Sequence, residues 1–283
     1  VCLDEILKVL RSKASSPLSD GNSTGADSNA PTNVQEDNMI LKGFDSRYWD
    51  GVLPPEYENY FSFYFQKVSQ GVGWAPSEGW HQLQLNWKRA KQNYGLPRGP
   101  YHYAIMPYHD QDLVQRGALQ AQSFYDTIMN YFEGDFGELP PVIDMENVHE
   151  WMALEEDMVT FLKALLGETK RLFGQAPMIY TATWFWDQYV APYTGSWEYW
   201  KEYELWEADP PPDTPIAGWT DGGAVVQVAL SKSIPGFNDV VDLNETTKEW
   251  LDKHIGTSPP PIPSEYNQAL DDAIAAIEAL RRG

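Results

Sequence analysis

The triplet Asp144-Met145-Glu146 follows the apolar run Leu139-Pro140-Pro141-Val142-Ile143 and sets two carboxyl groups two residues apart. Side chains alternate across an extended strand, so positions i and i+2 share a face and both acids point the same way. Such a pair is costly to hold at the tip of an apolar strand. Neighbouring carboxyls split their titrations, which leaves one proton donor and one anion. That division of labour suits cleavage of a glycosidic bond, and a sugar-cleaving enzyme is the first expectation.

The pair needs a frame. Strands are expected at Ile40–Asp45, Phe61–Val68, Pro100–Met106, Pro140–Glu146, Pro177–Thr183, Tyr203–Ala208, Ala224–Leu230 and Val240–Leu243. Helices are expected at 78–94, 111–132, 151–173 and 245–254; in the second, Leu113, Ala118, Ala121, Phe124, Tyr125 and Ile128 trace one face. Alternating strands and helices with short connections predict a parallel sheet, long enough here to close. The expected fold class is α/β, an irregular TIM-like (β/α) barrel with a helix-poor C-terminal third. In a parallel barrel catalytic groups gather at the C-terminal ends of strands. Asp45 (in Gly43-Phe44-Asp45-Ser46), Asp144, Glu146 and Asp242 (in Val240-Val241-Asp242-Leu243-Asn244) end candidate strands there, and closure brings the first and last strands together. Singly, Asp45 and Asp242 are equally well explained by turn or cap chemistry at strand-to-loop junctions. For four such acids together that explanation is much weaker.

The barrel is expected over residues 40–256. Residues 1–39 read as a short helix, with Leu3, Ile6, Leu7 and Leu10 at helical spacing, and a flexible linker rich in Ser, Asn, Asp, Gly and Pro. The end of an upstream domain and a dispensable tail are equal readings of it. Residues 257–283 read as a stiff Pro-rich spacer and an amphipathic helix, capped by Ser264, in which Tyr266, Leu270, Ile274, Ile277 and Leu280 recur at steps of three and four. That stripe requires a partner: the barrel itself, another copy in an oligomer, or a neighbouring module.

Composition narrows the chemistry. The chain is 14% aromatic with 12 Trp, most of which a core must absorb. A minority are expected to line a cleft, because an amphipathic ring covers a sugar's C–H face. The net charge of −21 argues against nucleic acid or an anionic membrane as partner. No apolar run reaches 18 residues, so no membrane insertion is expected. Cys2 is the one cysteine, which excludes an intrachain disulfide. The start lacks a basic region and an Ala-x-Ala site, so no signal peptide is recognised, and without an initiator Met the chain reads as a processed product or a fragment. His81, His102, His109, His149 and His254 show no metal-ligand spacing; His102 reads as a hydrogen-bonded core or cleft residue. No metal and no cofactor are expected. Lys67 either neutralises a carboxylate or marks a solvated strand end. A Gly-x-Ser-x-Gly elbow and a Gly-rich phosphate loop are both missing, which argues against serine nucleophiles and nucleotides.

Several ordered pieces over roughly 40–250 resemble glycoside hydrolase family 25, the lysozyme-type N-acetylmuramidases of phage, bacteria and fungi. They are Gly43-Phe44-Asp45-Ser46 with Trp49, Gly95-Leu96-Pro97-Arg98-Gly99-Pro100-Tyr101-His102-Tyr103, and Leu139 through Glu146. Pro177-Met178-Ile179-Tyr180-Thr181 then Trp186, Leu205-Trp206, Gln227 and Val241-Asp242-Leu243-Asn244 follow in order. The resemblance implies metal-free cleavage of the β-1,4 bond between N-acetylmuramic acid and N-acetylglucosamine in bacterial cell-wall peptidoglycan, with retention. It implies Glu146 as general acid, Asp144 as the anion assisting the substrate's 2-acetamido group, and Asp45 and Asp242 as groups that hold substrate or tune the acid. Tyr101, Tyr103, Tyr180, Trp206 and Gln227 would contact substrate. By the same analogy the protein is a phage lysin or virion-associated enzyme, made in the host cytoplasm and acting at the wall, with secretion as the alternative.

Three stretches depart from the family pattern. Lys67-Val68-Ser69-Gln70-Gly71 lacks the acid of a Lys-Ala-Thr-Glu-Gly-like stretch, Val226-Gln227-Val228-Ala229 replaces Trp-Gln-Tyr-Ser, and Glu207-Ala208-Asp209-Pro210 replaces Ile-Ala-x-Tyr. They support a rival of another class, a catalytically weakened glycan-binding or structural virion module on the same barrel. A chitinase-like barrel is weaker, since Pro140, Val142, Asp144 and Glu146 supply only the last pair of its Asp-x-x-Asp-x-Asp-x-Glu motif.

Overall fold

The computed structural model describes residues 39–54, 61–73, 79–108, 112–146, 155–208, 215–233 and 240–255. The expected terminal helices, the linker, the Pro-rich spacer and the start of the helix expected from residue 151 lie outside the described residues. Eight strands close into one barrel in sequence order. They are β1 (Ile40–Ser46), β2 (Phe63–Gln70), β3 (Arg98–Tyr103), β4 (Val142–Asp144), β5 (Met178–Ala182), β6 (Leu205–Ala208), β7 (Val225–Ser233) and β8 (Val240–Thr247). The helices are α1 (Trp80–Gln92), α2 (Leu113–Tyr131), α3 (Glu155–Phe173), α4 (Thr183–Tyr189) and α5 (Lys248–Ile255). The short α4 was not expected; its Trp-Phe-Trp aromatics suit a strand equally well by propensity.

Strands β1 to β7 pair in parallel, whereas β8 is antiparallel to both β7 and β1. The expected all-parallel order is corrected at this point. Residues 234–239 are too few for a crossover, which takes a dozen or more residues, so the chain must turn straight back. The last strand also runs on to Thr247, and α5 starts at Lys248 rather than at 245. Asp242 therefore stands near the beginning of β8, not at its end. Because β8 is reversed, that beginning lies at the same rim as the ends of the parallel strands, with Asp242 directly opposite Asp45.

The period-2 alternation sorts side chains into two layers. Phe63, Phe65, Tyr101, Val142, Met178, Tyr180, Trp206 and Val225 fill the barrel interior. Phe44, Tyr64 and Val241, on the opposite faces of their strands, pack outward with Ala90, Tyr94 and Leu96. Each large interior side chain contributes about 1.5–3 kcal/mol by leaving water. Two glycines make room for the largest rings. A Cβ at Gly43 would lie 2.3 Å from the Phe63 ring, and one at Gly99 would lie 2.2 Å from the Phe65 ring. Outside the barrel, α2 buries Ala121, Phe124, Tyr125 and Ile128, with Leu113 and Ala118 half-buried at the edge of the expected face. Gly117 lets α2 approach α3 closely, since a Cβ there would lie 2.8 Å from the Phe161 carbonyl oxygen.

Candidate active site

Alternation carries the acids to one place. On β1, Gly43 and Asp45 face inward, and Arg47 continues that parity past the strand end. Val142, Asp144 and Glu146 do the same on and beyond β4, while Met145 is fully buried away from the opening. Asp45, Asp144, Glu146 and Asp242 all line one cavity of about 380 Å3 at the rim. Tyr101, Tyr103, Tyr180, Trp206 and Gln227 line it too, so every residue expected at the site is there. A volume of that order is usual for a small-molecule site.

A bulge adds Gln70, which strict alternation along β2 would place on the opposite face. Between β2 and β3 the register jumps from Lys67↔Tyr101 to Ser69↔His102. The inward series Phe63, Phe65, Lys67 therefore resumes at Gln70 rather than at Ser69, as a one-residue bulge requires. Ser69 instead bonds His102 Nδ1 at 2.8 Å, and His102 Nε2 lies 3.2 Å from Gln120 Oε1, so this histidine is a buried structural group. Lys67 is no solvated strand end. It is buried in the cavity, donates to Gln70 Oε1 at 2.8 Å and sits 4.2 Å from the Tyr103 ring centre.

A connected hydrogen-bond chain forms the floor. Trp206 Nε1 donates to Asn244 Oδ1 (2.9 Å), and Asn244 Nδ2 donates to Asp45 Oδ2 (2.8 Å). Gln227 Nε2 donates to the same Asp45 oxygen at 3.4 Å, and Tyr180 OH donates to Gln227 Oε1 at 3.0 Å. Asp242 accepts from the Ser231 backbone N–H at 2.7 Å, where Ser231 adopts φ 53°, and its other oxygen lies 4.0 Å from Arg47. Arg47 also bonds Asp50 through its side chain at 3.2 Å. One oxygen of Asp144, Oδ1, has no hydrogen-bond partner among the described residues.

Burial is the main electrostatic fact. It pushes the Asp45 carboxyl up to about 8, aided by the facing Asp242 and opposed by the Asn244 bond. It raises Asp144, to which Glu146 adds repulsion while Lys67 opposes. Glu146 is raised by burial as well, with Lys67 and Arg47 pulling the other way. The same burial lowers the Lys67 ammonium to about 8. Desolvation disfavours the charged form of every group here, so the Asp144–Glu146 pair retains a proton at higher pH than either acid would in water.

Asp45 gives this a thermodynamic consequence. Its native pKa stands above its unfolded value of 3.8, so between about pH 4 and pH 8 the native state holds a proton that the unfolded state has lost. Its contribution to stability is full below pH 4 and drains away as pH rises to 8. Asp45→Asn removes that loss, so the stability of the variant relative to wild type should climb across this window by on the order of a few kcal/mol. Urea unfolding at pH 4.5 and pH 8 checks this, and parallel curves for the two proteins would contradict it.

Residues 58–228, more than half of the chain, match the family model of glycosyl hydrolases family 25. The chain belongs to this family. It is a glycoside hydrolase, and its barrel is shared with solved lysozymes. The bacterial lysozyme from Streptomyces coelicolor superposes with a TM-score of 0.57 at 20% identity, covering 77% of this chain and 98% of that one. The catalytic domain of endolysin ply40, from bacteriophage P40 of Listeria monocytogenes, gives 0.59 at 17% identity over 77% and 98%. The spore cortex lytic enzyme SleM of Clostridium perfringens gives 0.58 at 21% identity over 73% and 67%. At these identities the likeness is one of fold. No curated protein sequence matches the chain. The family match takes in Asp144 and Glu146 but begins after β1 and ends inside β7. Asp45 and Asp242 join the glycoside hydrolase's cavity through barrel closure alone.

Arg47, Gln70 and Ile105 also line the cavity and were not among the expected site residues. Arg47 was within reach, two positions after Asp45 on the same face. Trp49, noted in the sequence only as part of a motif, stands at the cavity wall with Arg47 5.1 Å from its ring centre.

Proposed function

We propose that this glycoside hydrolase cleaves the β-1,4 bond between N-acetylmuramic acid and N-acetylglucosamine of bacterial peptidoglycan, with retention. The observation that carries the reading is the gathering of Asp144 and Glu146 with two further acids in one cavity at the barrel rim. In the first step the acetamido oxygen of the muramic acid attacks its own anomeric carbon as the glycosidic C–O bond breaks. Glu146 gives its proton to the departing oxygen. Asp144, as the anion, stabilises the positive charge that spreads onto the acetamido nitrogen. In the second step Glu146, now a carboxylate, takes a proton from water, whose oxygen bonds the anomeric carbon as the bond from that carbon to the acetamido oxygen breaks. Two inversions give net retention without a protein nucleophile, unlike the usual acid-plus-nucleophile scheme. Burial raises both carboxyls, which supports a proton on the pair near neutral pH, while Lys67 opposes the rise at each.

The fold shared with an endolysin catalytic domain supports action at the bacterial wall as a phage lysin or virion enzyme. In this reading residues 40–256 are the catalytic unit and the flanking segments serve targeting or assembly. Removal of residues 257–283 should leave turnover of soluble substrate within about twofold of the full chain, and a loss near that of an active-site variant would refute the division.

Turbidity of purified cell walls tests the activity. Clearing between acid and neutral pH is expected. Wall binding with no clearing at any such pH would favour the weakened glycan-binding module, which the replacement of the family's acid by Gln70 otherwise supports.

A further inference from the structure

We infer that a second cavity beside the first binds the sugar on the leaving side of the scissile bond, with Trp184 as its specificity-determining residue. The inference rests on the muramidase reading and adds the orientation of the substrate to it. This cavity, of about 430 Å3, shares Glu146, Tyr180 and Gln227 with the first. Among the acids, only Glu146 borders both. Asp45, Asp144 and Asp242 border the first alone.

Charge then fixes which ring goes where. Positive charge develops on the ring whose anomeric carbon is attacked, and that ring belongs beside Asp144, the group assigned to stabilise it. The departing oxygen belongs to the other ring, which must lie across the proton donor. Among the described residues, the cations Arg47 and Lys67 line the first cavity. They suit the lactyl carboxylate and peptide of muramic acid. Among the described residues the second cavity has no charged lining residue except Glu146, which fits a neutral sugar, N-acetylglucosamine.

Its wall is otherwise small or apolar, with Ala182, Ala208, Leu230 and Trp184. Trp184 is 60% exposed and Leu230 50% exposed, so neither is there to fill the core. Trp184 is the second residue of α4, which follows β5 directly, and it makes an edge-to-face contact with Phe185, 5.7 Å between ring centres. An indole face at a cavity mouth meets the C–H face of a pyranose well, and Leu230 offers a surface for the acetamido methyl.

The test compares two substrates on wild type, Trp184→Ala and Trp184→Phe. One is the tetrasaccharide of alternating N-acetylglucosamine and N-acetylmuramic acid. The other is the N-acetylglucosaminyl-N-acetylmuramyl β-fluoride, whose leaving group places no sugar in the second cavity. For Trp184→Ala, kcat/KM on the tetrasaccharide should fall by about 10-fold or more, mainly through KM, and on the fluoride by less than twofold. Trp184→Phe should recover most of the loss. Unchanged tetrasaccharide cleavage by Trp184→Ala, or equal losses on both substrates, would overturn this inference alone. A wild-type enzyme that leaves the tetrasaccharide intact would overturn the muramidase reading and this inference with it.

Discussion

Glu146→Gln should lower turnover of cell-wall polymer by about 10³-fold or more while leaving wall binding nearly unchanged. Gln keeps the shape and hydrogen-bonding reach of Glu but cannot release a proton, and a positioned acid is worth about 10²–10⁴-fold. The chemistry adds a finer expectation. A leaving group that departs without protonation, such as fluoride, needs no acid in the first step, so the defect should shrink on the β-fluoride. Steady-state rates on the two substrates with each protein supply the comparison. Turnover of the polymer at the wild-type rate would remove Glu146 from the donor role.

Asp144→Asn carries the second-largest expected effect, a loss of about 10²–10³-fold, the size usual for removing one preorganised electrostatic partner of a charged transition state. Here the loss should persist on the β-fluoride, because the charge on the acetamido nitrogen develops whatever the leaving group. The opposite responses of the two variants to the leaving group separate proton donation from charge stabilisation. Asp144 is suited to its part by position. It is buried, its Oδ1 is unpartnered among the described residues, and Lys67 favours its ionised form. A fall of only a few fold for Asp144→Asn would mean that the acetamido group reacts without its help.

Glu146 adds repulsion at Asp144, so the titration of these two carboxyls belongs to the pair. Burial raises both, so the protonated donor persists toward neutral pH. On the proposed mechanism, an incoming acetamido N–H would favour the anion on Asp144 and leave the proton on Glu146.

The site was legible where simple periodicities held. The i, i+2 spacing put Asp144 and Glu146 on one face, and the same parity carries Asp45 and Arg47 inward. Barrel closure was legible from the alternation of strands and helices, and it made the pairing of Asp45 with Asp242 foreseeable. The direction of β8 was not read, although the nine residues between the two expected strands, 231–239, are already too few for a crossover. Gln70 was hidden for a different reason. A bulge changes parity through a ladder irregularity, which depends on the neighbouring strand rather than on any local signal. The second cavity was hidden because α4 is a single short helix of aromatic and polar residues, whose propensity does not separate it from an extension of β5. Trp186 lies in its core and Trp184 faces solvent, a distinction that only packing reveals.

Muropeptides released from purified peptidoglycan, reduced with borohydride and weighed by mass spectrometry, give the most direct reading of which bond is cut. Cleavage after muramic acid, with Glu146 and Asp144 acting across it, predicts fragments ending in the reduced muramic acid. Fragments ending in reduced glucosamine would show that the neighbouring bond is the one broken and would contradict the account.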